Sequence, residues 1–192
     1  MCSSDLKTDS EIESLVKEFI GSDVTLTDVT PADSDLVKKL YSLSDGKGYV
    51  AYLVAISPNY GTVETETLVH IDNDGKIVAI KNLVWKVSDA VPEWGYNPPS
   101  EERVESLYND FVGKTLDTIG EVDIATGATS TGKRLVECIT EALERVKTLA
   151  VNNADQGNTS RIIGIVIIAV VVASIAMYII IPRINKGGKE HE

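Results

Sequence analysis

The sequence predicts an α+β fold, an antiparallel sheet packed by helices, followed by a single C-terminal transmembrane helix. Three observations carry that expectation. Apolar residues recur at helical spacing before and after a central region of strand-like runs. Two of those runs are joined by Asp72-Asn73-Asp74-Gly75, a hairpin turn sequence. Near the end, Ile162–Ile181 carries no charge, and at ~1.5 Å per residue such a segment crosses a ~30 Å hydrocarbon core.

In order along the chain, Ile12, Leu15, Val16 and Phe19 step by three and four, which predicts an amphipathic helix over Asp9–Ile20, with Gly21 ending it. Strand-like runs follow at Val24–Val29, Tyr49–Ile56, Thr65–Ile71 and Ile77–Trp85 within a sheet of about five strands. The Asp72–Gly75 oxygens read as turn formers, because a calcium loop needs more oxygens at regular spacing and a distant bidentate Glu. Val87–Ser100 holds Pro92, Gly95, Pro98 and Pro99 together with Trp94 and Tyr96, so it is a loop bearing aromatic residues. Helices are predicted over Glu101–Phe111, with Val104, Leu107, Tyr108 and Phe111 on one stripe, and over Leu135–Leu149, with Leu135, Ile139, Ala142, Leu143, Val146 and Leu149 spaced for one face.

The expected divisions are 7–45 for the first helix and strand, 46–150 for the main domain, 151–160 for a polar linker, 161–182 for the transmembrane helix and 183–192 for a basic tail. The linker composition gives a reach of roughly 15–20 Å. Arg183, Lys186 and Lys189 follow the span closely while Arg161 precedes it, so the tail is expected in the cytoplasm and the domain outside. Residues 1–6, Met-Cys-Ser-Ser-Asp-Leu, match what a common sequencing-adapter end encodes when read through, and are set apart from the fold as an artefact. On that reading the native start, with any signal peptide, lies upstream.

A chain of 192 residues fits one folded domain with an appendage. Its net charge of -11 excludes ordinary nucleic-acid binding, which needs clustered Lys and Arg. With Cys2 set apart, Cys138 remains as the only cysteine, so no disulfide framework or cysteine metal cluster is expected. Cys138 reads as a small apolar residue beside a helix core. His70 shares a strand face with Leu68 and reads as a surface residue rather than a catalytic one.

The segment richest in chemistry is Asp123-Ile124-Ala125-Thr126-Gly127-Ala128-Thr129-Ser130-Thr131-Gly132-Lys133, between a short strand-like piece and a helix. Small residues and hydroxyls at a helix N-terminus favour a phosphate, through free backbone N–H groups and the helix dipole. Gly127 and Ala128 permit close backbone approach, and Ser130 or Thr131 is expected as the N-cap. Gly127, Gly132 and Lys133 also fall at Walker-A spacing, but Arg134 stands where a hydroxyl should reach magnesium.

Asp123-x-x-Thr126-Gly127-Ala128-Thr129 resembles the flavinylation motif of the FMN-binding domain family found in RnfG and NqrC subunits of ion-pumping redox complexes. Asn59-Tyr60-Gly61, the Asp72–Lys76 hairpin and the helix after the motif follow in a similar order, so the resemblance covers roughly Gly46 to Leu149. It implies FMN joined covalently through a phosphoester to Thr129, with Thr126, Gly127, Ala128, Ser130 and Thr131 around the phosphate. Asp123 would lie in the recognition motif of an ApbE-type flavin transferase. The family's Glu-Thr-Pro-Gly-Leu-Gly loop is represented by Val91-Pro92-Glu93-Trp94-Gly95-Tyr96, and Trp94 and Tyr96 are the aromatic residues expected at the ring, while Trp85 reads either as a further stacking residue or as simple packing in the sheet.

The expected function is therefore electron transfer by a membrane-anchored flavoprotein, working with other redox proteins of an electron-transfer chain. Two alternatives remain at this level: a non-redox binding or sensor domain whose Thr-Gly-Ala-Thr merely caps a helix, and a flavin-dependent reductase with its own substrate.

Overall fold

The computed structural model of the chain describes residues 7–59, 61–87, 99–124 and 130–151. The chain divides into two compact units, Met1–Thr148 and Leu149–Glu192, and the sheet with the helices packed on it lies in the first. Among the described residues no helix is long and apolar enough to cross a membrane. The span expected at Ile162–Ile181 lies outside them.

The first helix, α1, spans Asp9–Ile20. Its start is set by a capping box, in which Thr8 accepts from the Glu11 N–H and the Glu11 carboxylate accepts from the Thr8 N–H at 2.7 Å. Gly21, at φ 109°, ends it by donating its N–H to the Lys17 carbonyl. Five strands follow, β1 (Leu26–Asp28), β2 (Val37–Leu43), β3 (Tyr49–Asn59), β4 (Gly61–Ile71) and β5 (Ile77–Val87), and they form one antiparallel meander in chain order. The fold is α+β, as expected. Helix α2 spans Glu101–Phe111 behind the Ser100 N-cap, and residues 130–151 form a further helix, α3.

Strand alternation sends successive side chains to opposite faces. On one face Tyr41, Leu43, Val50, Tyr52, Val54 and Leu68 form a core with Ile12 and Val16 of α1. Within it, the Glu66 carboxylate accepts hydrogen bonds from Tyr52 Oη and from Lys7 Nζ, so its burial is matched by a charge-assisted partner. On the other face β3 and β4 present Leu53, Ala55, Ser57, Val63, Thr65, Thr67 and Val69, all buried. The buried stripes of α2 (Val104, Leu107, Tyr108, Phe111) and of α3 (Leu135, Ile139, Ala142, Leu143, Val146) belong to that second side. Tyr108 Oη is 2.8 Å from Thr67 Oγ1, and Thr131 Oγ1 is 2.9 Å from Ser57 Oγ.

The β4–β5 turn forms as its residues dictate. Asp72 Oδ1 accepts from the Asp74 and Lys76 N–H groups, and Gly75 takes φ 76°. Asn73 donates to the Gly46 carbonyl, and among the described residues no cluster of metal-ligating side chains occurs.

Three elements differ from the sequence expectation. Helix α3, expected to begin at Leu135, is already helical at Ser130, and Leu149 at its far end is only partly buried. Strand β2 has no counterpart among the strand-like runs, because a bulge between Val37 and Lys39 breaks its alternation. The piece before Asp123, expected as strand-like, contains the 3-10 turn Ile119–Glu121 and no strand.

Candidate functional site

The phosphate-site expectation centres on residues 123–133. Of these, Thr126, Gly127, Ala128 and Thr129 lie outside the described residues, as do Trp94 and Tyr96. Asp123, Ile124 and Ser130–Lys133 are described, and they show how the start of α3 is held.

Thr131 is fully buried, and its hydroxyl meets that of Ser57 on β3. The pair spans 74 residues of sequence and locks the first turn of α3 onto the sheet. Gly132 is closely packed: a Cβ there would stand 2.9 Å from Ile124 Cγ2 and 3.2 Å from Ile124 Cβ, so a larger residue would have to displace the Ile124 side chain. The backbone on the two sides of residues 125–129 is thus drawn together by Ile124 on Gly132. Residues 130 and 131 are already helical, so neither is the N-cap, contrary to expectation. Instead Thr131 bonds across to the sheet, and Ser130 Oγ is sealed from solvent with no hydrogen-bond partner.

The Walker-A spacing has no Walker-A architecture around it. Arg134 forms an ion pair with Glu137 at 2.7 Å along the helix surface, no strand among the described residues leads into the motif, and the sheet is antiparallel throughout.

On the same face of the sheet, a cavity of about 780 Å³ lies between β5 and α2. That volume falls in the range of small-molecule and cofactor sites. Ile80, Asn82, Trp85, Val104, Glu105 and Tyr108 are among its walls. Among the described residues, Trp85 is the aromatic residue named from sequence for the ring that lines this cavity. The register links the two places. Ser57 pairs with Val63 and Val63 with Val87, which also lines the cavity, so two strand spacings, roughly 10 Å, separate Ser57 from the cavity edge.

Two of the lining residues are incompletely satisfied. Asn82 Oδ1 and Trp85 Nε1 are buried without a hydrogen-bond partner, and each such atom costs about 1–3 kcal/mol. Asn82 and Trp85 are three residues apart, which in a regular strand would put them on opposite faces. A bulge at Leu83 restores them to one side, where Asn82 faces Thr67 across the ladder and Trp85 faces Thr65. Neither Asn82 nor Ser57 carried a sequence signal, since the bulge hides one and the long-range pairing the other.

Tyr108 sits behind the cavity with its phenol pushed up to about 12 by burial, so it stays protonated across the physiological range. Cys138 is buried and its thiol is pushed up to about 11 by burial, as an inert core cysteine should be. His70 Nε2 lies 2.8 Å from the Lys47 carbonyl oxygen, away from this face.

No protein-family model matches this chain, and no curated protein matches it.

Proposed function

We propose that this protein is a membrane-anchored electron-transfer flavoprotein carrying FMN covalently through a phosphoester on Thr129. The supporting observation is the anchoring of α3 directly after that residue. Thr131 is bonded to Ser57, Gly132 packs on Ile124, and the sheet face that carries Ser57 runs on to a cavity of cofactor size. The described residues fit such a group, because Ser130 Oγ, Asn82 Oδ1 and Trp85 Nε1 are buried polar atoms lacking partners.

In this proposal Thr129 supplies the attachment oxygen, and Thr126, Gly127, Ala128 and Ser130 surround the phosphate at the head of α3, where the helix dipole favours negative charge. Asp123 serves recognition by an ApbE-type transferase. Thr131 is a positioning residue acting through Ser57. When bound, FMN supplies reversible one- and two-electron chemistry, while the protein retains and orients it. The partners are the transferase, the membrane and neighbouring redox proteins, with the domain on the outer face and the tail in the cytoplasm.

The test is co-expression with an ApbE-type transferase, followed by a denaturing gel under ultraviolet light. The wild-type band is expected to fluoresce, Thr129→Val to be dark and Asp123→Ala to be dimmed. Fluorescence persisting in Thr129→Val would overturn the attachment site.

A further inference from the structure

The cavity between β5 and α2 supports an inference that holds whether or not Thr129 carries a flavin. We propose that it binds the edge of a planar, uncharged heteroaromatic ring presenting a ring N–H beside a carbonyl, that is, a lactam or imide, read by Asn82 and Trp85.

The walls set the shape of the guest. Ile80 and Trp85 on the strand side face Val104 and Tyr108 on the helix side, an apolar and aromatic slot suited to a flat ring. The unpaired atoms set its polarity. Asn82 Oδ1 accepts and Trp85 Nε1–H donates, and the Leu83 bulge puts both side chains on the cavity side of the sheet. A lactam edge offers the matching donor and acceptor together. A quinone offers acceptors only and leaves Asn82 Oδ1 unpaired, and a hydrocarbon satisfies neither. Both atoms are sealed from solvent without a guest, and in this proposal the Asn82 amide and Trp85 indole turn toward the cavity as the ring enters. Glu101 and Glu105 also line the cavity, and Lys81 is paired with Glu18 at 3.1 Å, so the surroundings disfavour an anionic ring.

Two sources can provide such a ring: a flavin tethered at Thr129, or a free heterocycle from solution. The full chain, purified in detergent from cells lacking the transferase, is titrated with lumiflavin and with 3-methyllumiflavin, which lacks the ring N–H, while flavin fluorescence is followed. Saturable quenching by lumiflavin is expected, with the methylated compound binding at least tenfold more weakly. Asn82→Ala and Trp85→Phe should each weaken lumiflavin binding about tenfold, and Val104→Trp should abolish it by filling the slot. The comparison of the two flavins needs no variant, so it stands even if a substituted chain misfolds. Absence of saturable quenching, or equal affinity for the two compounds, overturns the proposal. Repeating the titration on chain flavinylated at Thr129 separates the sources: exclusion of lumiflavin identifies the tethered ring as the occupant, and retained binding identifies a free heterocycle. Thr129→Val chain should bind lumiflavin like the wild type, so failure of the attachment and failure of the cavity site are read independently.

Discussion

Thr131 Oγ1 and Ser57 Oγ lie 2.9 Å apart with both residues buried, one in the first turn of α3 and the other near the end of β3. Each hydroxyl is the other's partner, so removing one strands the other. Thr131→Val and Ser57→Ala are each expected to destabilise the domain by about 1–3 kcal/mol. The double variant should cost clearly less than the sum, which urea denaturation of all four proteins measures. Strict additivity would show that the two hydroxyls act separately.

Gly132 faces Ile124 where a methyl group would stand 2.9 Å from Cγ2. Alanine in a helix is ordinarily favoured over glycine by about 1 kcal/mol. Here the clash opposes it, at a cost of about 1–3 kcal/mol for overpacking. Gly132→Ala should therefore lower the melting temperature, and Ile124→Ala in the same chain should restore part of the loss. A rise in melting temperature for Gly132→Ala alone would show that Ile124 gives way freely.

Burial raises the Cys138 thiol to about 11, against roughly 8.5 for a free cysteine. Between those values the unfolded chain has released this proton and the folded chain has kept it. The native state then binds more protons, so stability falls as pH rises through the window. Tyr41 and Tyr108, both raised by burial to about 12, extend the loss to higher pH. Melting curves from pH 8 to 11 should slope downward, and Cys138→Ala should flatten the part between about 8.5 and 11. An unchanged slope in that variant would assign the alkaline loss to other groups.

If Ile162–Ile181 spans a membrane as proposed, its orientation is expected to follow the cations after Ile181. In the proposed topology, protease added outside intact cells should digest the domain of residues 7–150 and spare the tail. Changing Arg183, Lys186 and Lys189 to neutral residues should make the orientation mixed, because cytoplasmic flanks carry the excess of Lys and Arg. A domain protected from outside protease in the unaltered protein would reverse the assignment.

How far the fold is legible in the sequence depends on how local each cause is. Helices α1 and α2 have the limits expected from sequence, Asp9–Ile20 and Glu101–Phe111, because their caps and stripes are encoded within a few residues of each end. The Asp72–Gly75 turn is equally plain, since Asp72 bonds to groups two and four residues away. Strand β2 escapes the pattern because Lys38 is an extra residue against β3, so that Val37 and Leu40, three apart, both point inward. The same irregularity at Leu83 brings Asn82 and Trp85 to one cavity.

By itself, then, the sequence determined the α+β class, the limits of α1 and α2, the hairpin and the candidate motif around Thr129, because each rests on short-range periodicity or chemistry. Tertiary structure alone decided that Thr131 reaches Ser57, that Gly132 must yield to Ile124, and that Asn82 joins Trp85. The first and last of these depend on strand register, where one inserted residue reverses which face every later side chain occupies, whereas Ile124 and Gly132 lie outside the strands and meet by packing alone.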